Sequence, residues 1–77
     1  MRSDWEDVRI QTMAAALGIK FCDPKLRQLL LATGERYLAE GNTWGDVFWG
    51  VDSVTGDGRN VLGILLMGVR ATLRAAA

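Results

Sequence analysis

The segment that most restricts this chain is Val61-Leu62-Gly63-Ile64-Leu65-Leu66-Met67-Gly68-Val69, nine consecutive residues without a polar side chain. Wound as a helix, such a run is apolar on every face, and a helix of that kind is expected to be buried all round. It cannot span a bilayer, which needs about 20 such residues. It must pack against protein, and the chain offers only 77 residues to cover it, nine of them Gly. Hydrophobic residues make up 49% of the chain, enough for a folded core and more than disorder allows. One Cys and no His exclude an internal disulfide and a Cys/His zinc site, and no metal site or cofactor is expected. Burial therefore rests on apolar packing alone, which is marginal at this length, or on another surface.

Nine Lys and Arg balance nine Asp and Glu, a formal net charge of zero. No basic stripe is available to displace counterions from a phosphate backbone, so direct nucleic-acid binding is not expected. A polybasic membrane-surface segment is absent for the same reason. The opening MRSDWEDVRI is charged where a signal peptide would be apolar. A cytoplasmic location follows as the expectation, with Cys22 a reduced, buried thiol.

Three helices are predicted. Ser3 and Glu6 fit a capping box, and Trp5, Val8, Thr12 or Met13, Ala16 and Leu17 recur at helical spacing, which predicts a helix over 4–21. Asp23-Pro24 pairs a cap with a residue suited to the first helical position. The second helix then runs over 24–33, with Leu26, Leu29, Leu30 and Thr33 on its apolar face and Gly34 as its stop. Asn60 is placed to cap a third helix, which ends near Arg74. The fold class is all-α, a single small domain over 1–77 with one long Gly-rich loop.

That loop, 35–57, holds Gly41, Gly45, Gly50 and Gly56 together with Tyr37, Trp44, Phe48 and Trp49. Arg36 to Glu40 reads as a short strand or a helical turn, and 53–59 as a polar turn. Large rings beside flexible backbone suit a planar ligand or a sugar cleft. The carboxylate of Asp46 could hold ribose hydroxyls or face positive charge developing on a sugar ring. Equally, Trp44, Phe48 and Trp49 could be the core of a small protein, with Asp46 capping a turn. Glu35 and Glu40 read as an acid–base pair or as solvated side chains. Arg70 reads as a phosphate ligand, a partner of Asp46 or a surface residue. Gly56-Asp57-Gly58 lacks the lysine and spacing of a phosphate loop.

Four strings in order are similar to the NADAR family of YbiA-like N-glycosidases. They are Lys20-Phe21; Leu30 to Glu35 (LLATGE); Leu38 to Gly50 (LAEGNTWGDVFWG); and Gly58 to Met67 (GRNVLGILLM), followed by Arg70. The resemblance implies an all-α fold and metal-free cleavage of an N-glycosidic bond to a ribosyl or ADP-ribosyl group. It places Asp46 at a catalytic position and Asn42, Trp44, Trp49 and Asn60 at ligand-binding positions. Leu62, Gly63, Leu66 and Met67 fall on a packing helix. The resemblance also implies a longer domain of which this chain matches the C-terminal half, the active-site carboxylate of the N-terminal half lying outside it. Two expectations follow. One is a truncated, non-catalytic module that acts by self-association or by binding a partner protein through Val61, Ile64, Leu65 and Val69. The other is the C-terminal part of a split N-glycosidase.

Overall fold

The computed structural model describes the backbone of residues 3–76 and the side chains of 6–76. The Ser3 capping hydrogen bonds and the packing of Trp5 lie outside the described side chains. Helix α1 spans Ser3–Lys20, α2 Pro24–Ala32 and α3 Val61–Ala76, each within a few residues of its expected bounds. The molecule is mostly helical but not purely so. Gly41–Asn42 (β1) and Val51–Asp52 (β2) pair in parallel, Gly41 opposite Val51 and Asn42 opposite Asp52. This pair corrects the all-α expectation. Two-residue strands carry no alternating pattern that a sequence could display.

The caps follow from residue chemistry. Asp23 accepts hydrogen bonds from the Lys25 and Leu26 amides at 2.8 and 3.4 Å and so starts α2. Gly34, at φ +68°, occupies the left-handed conformation that glycine adopts without cost and ends it. The start of α3 is solved differently. The first amides of a helix have no intrahelical acceptor. Here the Val61 and Leu62 N–H groups donate to the Phe48 and Trp49 carbonyls at 3.0 and 2.9 Å. Their neighbours Arg59 and Asn60 donate to Val47 and Gly50 at 2.7 and 3.2 Å. Four successive carbonyls thus receive four successive amides, which fixes the aromatic loop to the N-terminus of α3.

Helix α3 packs on both α1 and α2. Among the described residues the buried apolar side chains are Leu17, Leu30 and Val61, one from each helix. The Cα positions span 38 × 30 × 17 Å. The molecule is flattened along one axis, and its three helices leave much apolar side-chain surface uncovered. The expectation that Val61–Val69 is buried all round is therefore not met. Val61 and Gly63 are buried, Ile64 is 54% exposed, and Leu65, Leu66, Met67 and Val69 are half-buried. Val8 and Leu29, expected on inner faces, are also exposed at 54% and 67%. Cys22 is exposed, not buried; its thiol donates to the Gly18 carbonyl at 3.4 Å. No helix among the described residues is long and apolar enough to cross a membrane.

Candidate functional site

The site is built on the turn Asp46–Trp49. Asp46 Oδ1 accepts from the Phe48 and Trp49 amides at 3.2 and 3.0 Å, so the carboxylate caps the turn that carries both rings. Asn42 holds this turn from beneath. Its Oδ1 accepts from the Asp46 N–H at 3.0 Å and its Nδ2 donates to the Asp46 carbonyl at 2.8 Å. Asn42 is 7% exposed, and its amide is engaged by this chain's backbone. The Asp46 side chain is half-buried, and Oδ2 takes no hydrogen bond from the described residues.

The rings are packed by cations. Phe48 and Trp49 meet edge to face, with centroids 4.8 Å apart and planes at 85°. The Arg9 guanidinium from α1 sits 3.9 Å from the Phe48 centroid and 5.8 Å from that of Trp49. The Arg59 guanidinium lies 4.8 Å from Phe48 and pairs through Nη1 with Glu6 Oε2 at 2.9 Å. Each cation–ring contact contributes about 0.5–1 kcal/mol at a partly exposed site. Trp49 is half-buried and lines a cavity of about 350 Å³ with Val8, Arg9, Thr12, Met13 and Ala16. The cavity lining is almost wholly apolar, which suits planar, apolar matter.

Asn60 lies elsewhere. It is 2% exposed and adopts φ +53°. Its carbonyl accepts the first helical bond of α3, from Ile64 N–H at 3.0 Å, but its side chain does not cap the helix. It turns toward the segment before β1. Nδ2 donates to the Leu38 carbonyl at 2.8 Å and to the Tyr37 hydroxyl at 3.2 Å, and Oδ1 accepts from the Glu40 amide at 2.9 Å. Gly63 makes room for this arrangement: a Cβ there would collide with the Leu38 carbonyl and the Asn60 amide. Asn60 is thus a buried clamp whose amide is engaged by its own chain.

The remaining sequence candidates separate. Trp44 is 77% exposed and stands in solvent, whereas Trp49 sits at its cavity. Val61 is covered by its own chain, so it forms no part of an exposed face. Ile64, Leu65 and Val69 line an open apolar groove of about 550 Å³ between α3 and α1, where Ala14, Gly18 and Gly68 form the low walls. Glu35 and Glu40 are exposed. Arg70 is neither a surface residue nor a partner of Asp46; it is 6% exposed and donates from Nη1 to the Thr33 hydroxyl at 2.7 Å. Sequence reasoning missed Arg9, Arg59 and Glu6. Arg9 sits one step from Val8 and four from Met13 on α1, and a lone cation among apolar-spaced residues was the available signal. Nothing in the sequence points from Glu6 to Arg59.

Away from these groups, Asp52 caps its own turn. Its carboxylate accepts from the Thr55 and Val54 amides at 3.1 and 2.8 Å, and these bonds hold its carboxyl below the ordinary value of 3.8.

Comparison with known proteins places this chain in a family. The family model described as "NADAR domain" matches residues 1–74. The chain is 46% identical over 74 residues to the N-glycosidase YbiA of Escherichia coli, an alignment covering 95% of this chain and 45% of that protein. It is 44% identical over 72 residues to the chloroplastic riboflavin biosynthesis protein PYRR of Arabidopsis thaliana, covering 92% of this chain and 12% of that one. A riboflavin biosynthesis protein of Vibrio vulnificus is 43% identical over 77 residues, 99% of this chain and 20% of its own. The chain thus spans less than half the length of these relatives. No solved structure matches. The capped aromatic turn, the Asn60 clamp and the helix that begins on the turn's carbonyls are therefore features of a chain that belongs to the NADAR domain family.

Proposed function

We propose that this chain supplies the Asp46–Trp49 side of an N-glycosidase site for N-ribosyl compounds, ADP-ribosyl substrates included, and that further polypeptide completes the site. One observation carries the reading: the Asp46 carboxylate is fixed through Oδ1 by the amides of Phe48 and Trp49, and the ring of that same Trp49 lines an apolar cavity. Glycosidic cleavage passes through an oxocarbenium-like state, and a fixed carboxylate stabilises that charge without reorganising. Trp49 offers an apolar wall for a ring. Glycoside hydrolysis ordinarily uses two carboxylates, one of them to activate water or protonate the leaving group. Glu6, whose partner Arg59 lies over the Phe48 ring, is held in that ion pair. A second working acid from another segment is what the reading requires. The similarity to an N-glycosidase supports the reaction class.

The experiment is complementation. The 77-residue chain is mixed with the segment of the E. coli relative that it does not match, and release of free base from an N-ribosyl substrate is measured. Activity in the mixture and none in either component is expected. Full activity of the chain alone would refute the need for a second segment.

The open α1–α3 groove favours a second reading, a non-catalytic module that works by association with a second copy or a partner protein. Complex formation without base release in the mixture would select it.

A further inference from the structure

Three arginines converge on one turn. Arg36 Nε donates to the Thr33 carbonyl at 3.0 Å, Arg70 Nη1 to the Thr33 hydroxyl at 2.7 Å, and Arg74 Nη2 to the Gly34 carbonyl. Arg36 follows α2 directly. Arg70 and Arg74 stand four residues apart on α3 and so share a face. Part of this arrangement is helix capping, because cations suit a helix C-terminus and can bond its last carbonyls. The partial charge there is only about −0.5, however, and three guanidinium groups exceed it. The described residues bring no carboxylate into ion-pair range of any of the three; Glu6 pairs with Arg59 instead. Glu35, adjacent in sequence, is exposed.

Arg70 is the most telling of the three. It is 6% exposed, and its partner is a neutral hydroxyl. A charge withdrawn from water without a counter-charge is costly, and an anion at its side would offset that cost. Each guanidinium carries five N–H donors and commits one nitrogen to the turn. The remaining forks match the oxygens of a phosphate group.

We propose that the Arg36–Arg70–Arg74 cluster at the end of α2 is a phosphate-binding site for the phosphomonoester or diphosphate group of a small ligand. Arg70 is the fixed element, held by its packing and by Thr33. Arg36 and Arg74 are exposed and close over the anion from outside. The site is distinct from the Asp46–Trp49 turn. That turn bonds to Leu62, and Arg70 lies eight residues further along α3, about 12 Å at 1.5 Å per residue. The inference therefore stands or falls independently of the glycosidase reading.

Amide and arginine Nε–H NMR titrations with inorganic phosphate and with pyrophosphate, at constant ionic strength set with chloride, test it. Saturable shifts at Thr33, Gly34 and the three arginines are expected, with the Trp44 and Trp49 indole signals unmoved. The double variant Arg36→Ala/Arg74→Ala should bind roughly ten-fold more weakly or worse, having lost two charge-assisted hydrogen bonds. Both residues are exposed, so an unchanged circular dichroism spectrum accompanies that loss. Arg70→Lys keeps the charge and loses the fork, and weakens binding as well. Shifts no larger than chloride produces, an unchanged Kd in the double variant, or shifts centred on the tryptophans would overturn the proposal. Tighter binding of a single-stranded oligonucleotide than of pyrophosphate would overturn the small-ligand assignment.

Discussion

Replacing Asn60 by Ala removes one side chain and three tertiary hydrogen bonds. The amide links the N-terminus of α3 to Tyr37, Leu38 and Glu40, more than 20 residues earlier in most cases, at 2.8 to 3.2 Å. Each such bond contributes about 1 kcal/mol net, and the left-handed backbone costs Ala about 1 kcal/mol more than Asn, so the loss should reach about 3–4 kcal/mol. A chain of this size has a total stability of about 4–12 kcal/mol, so the loss is a quarter or more of the total. Asn60→Gly relieves the backbone term and should recover about 1 kcal/mol while leaving the hydrogen bonds absent. Urea denaturation followed by tryptophan fluorescence gives both differences, and hydrogen exchange of the Glu40 amide locates them. If Asn60→Ala loses less than about 1 kcal/mol, Asn60 is not the clamp that the geometry assigns. Its role would then have to be sought in ligand contact.

Other outcomes follow from single contacts. Gly50→Ala places a Cβ against the Glu40 carbonyl and the Asn42 amide, both fixed, and should cost about 1–3 kcal/mol or prevent folding, read from the same urea curves. Asp23→Ala removes the α2 cap and should cost about 1 kcal/mol with the rest of the fold intact, visible as faster amide exchange at Lys25 and Leu26. Asp52 has a folded-state pKa below its unfolded value, so its turn is stabilised above pH 3.8 and loses that support as the pH falls through the lower folded value. The Val54 and Thr55 amide shifts should titrate in that window, and Asp52→Asn should abolish the titration.

The helices were legible because their signals are local. Asp23-Pro24 and Gly34 bracket α2 in the sequence as they do in space. The β1–β2 pair was not legible, since it depends on Gly50 allowing the Glu40 carbonyl close, a contact between residues ten apart with no periodic pattern. Asn60 reads as a helix cap because Asn commonly caps; its partners at Tyr37, Leu38 and Glu40 become visible only in three dimensions. Asp46 was legible as a turn cap, the role its Oδ1 fills; its reading as a catalytic acid stays a proposal. The apolar run on α3 predicted burial correctly for Val61 and incorrectly for Ile64, because burial depends on which face of a helix other elements cover.

The central claim is that Asp46 works through its open oxygen on a ribosyl group. The direct test is the rate of base release by the complemented pair carrying Asp46→Asn. Asparagine keeps an oxygen for the Phe48 and Trp49 amides and removes the charge on the other side. A loss of roughly 100-fold or more in kcat, with assembly of the pair and the urea midpoint unchanged, is the expected result for a group that stabilises charge in the transition state. An Asp46→Asn pair that releases base at the parent rate would contradict the claim and leave Asp46 a turn cap alone.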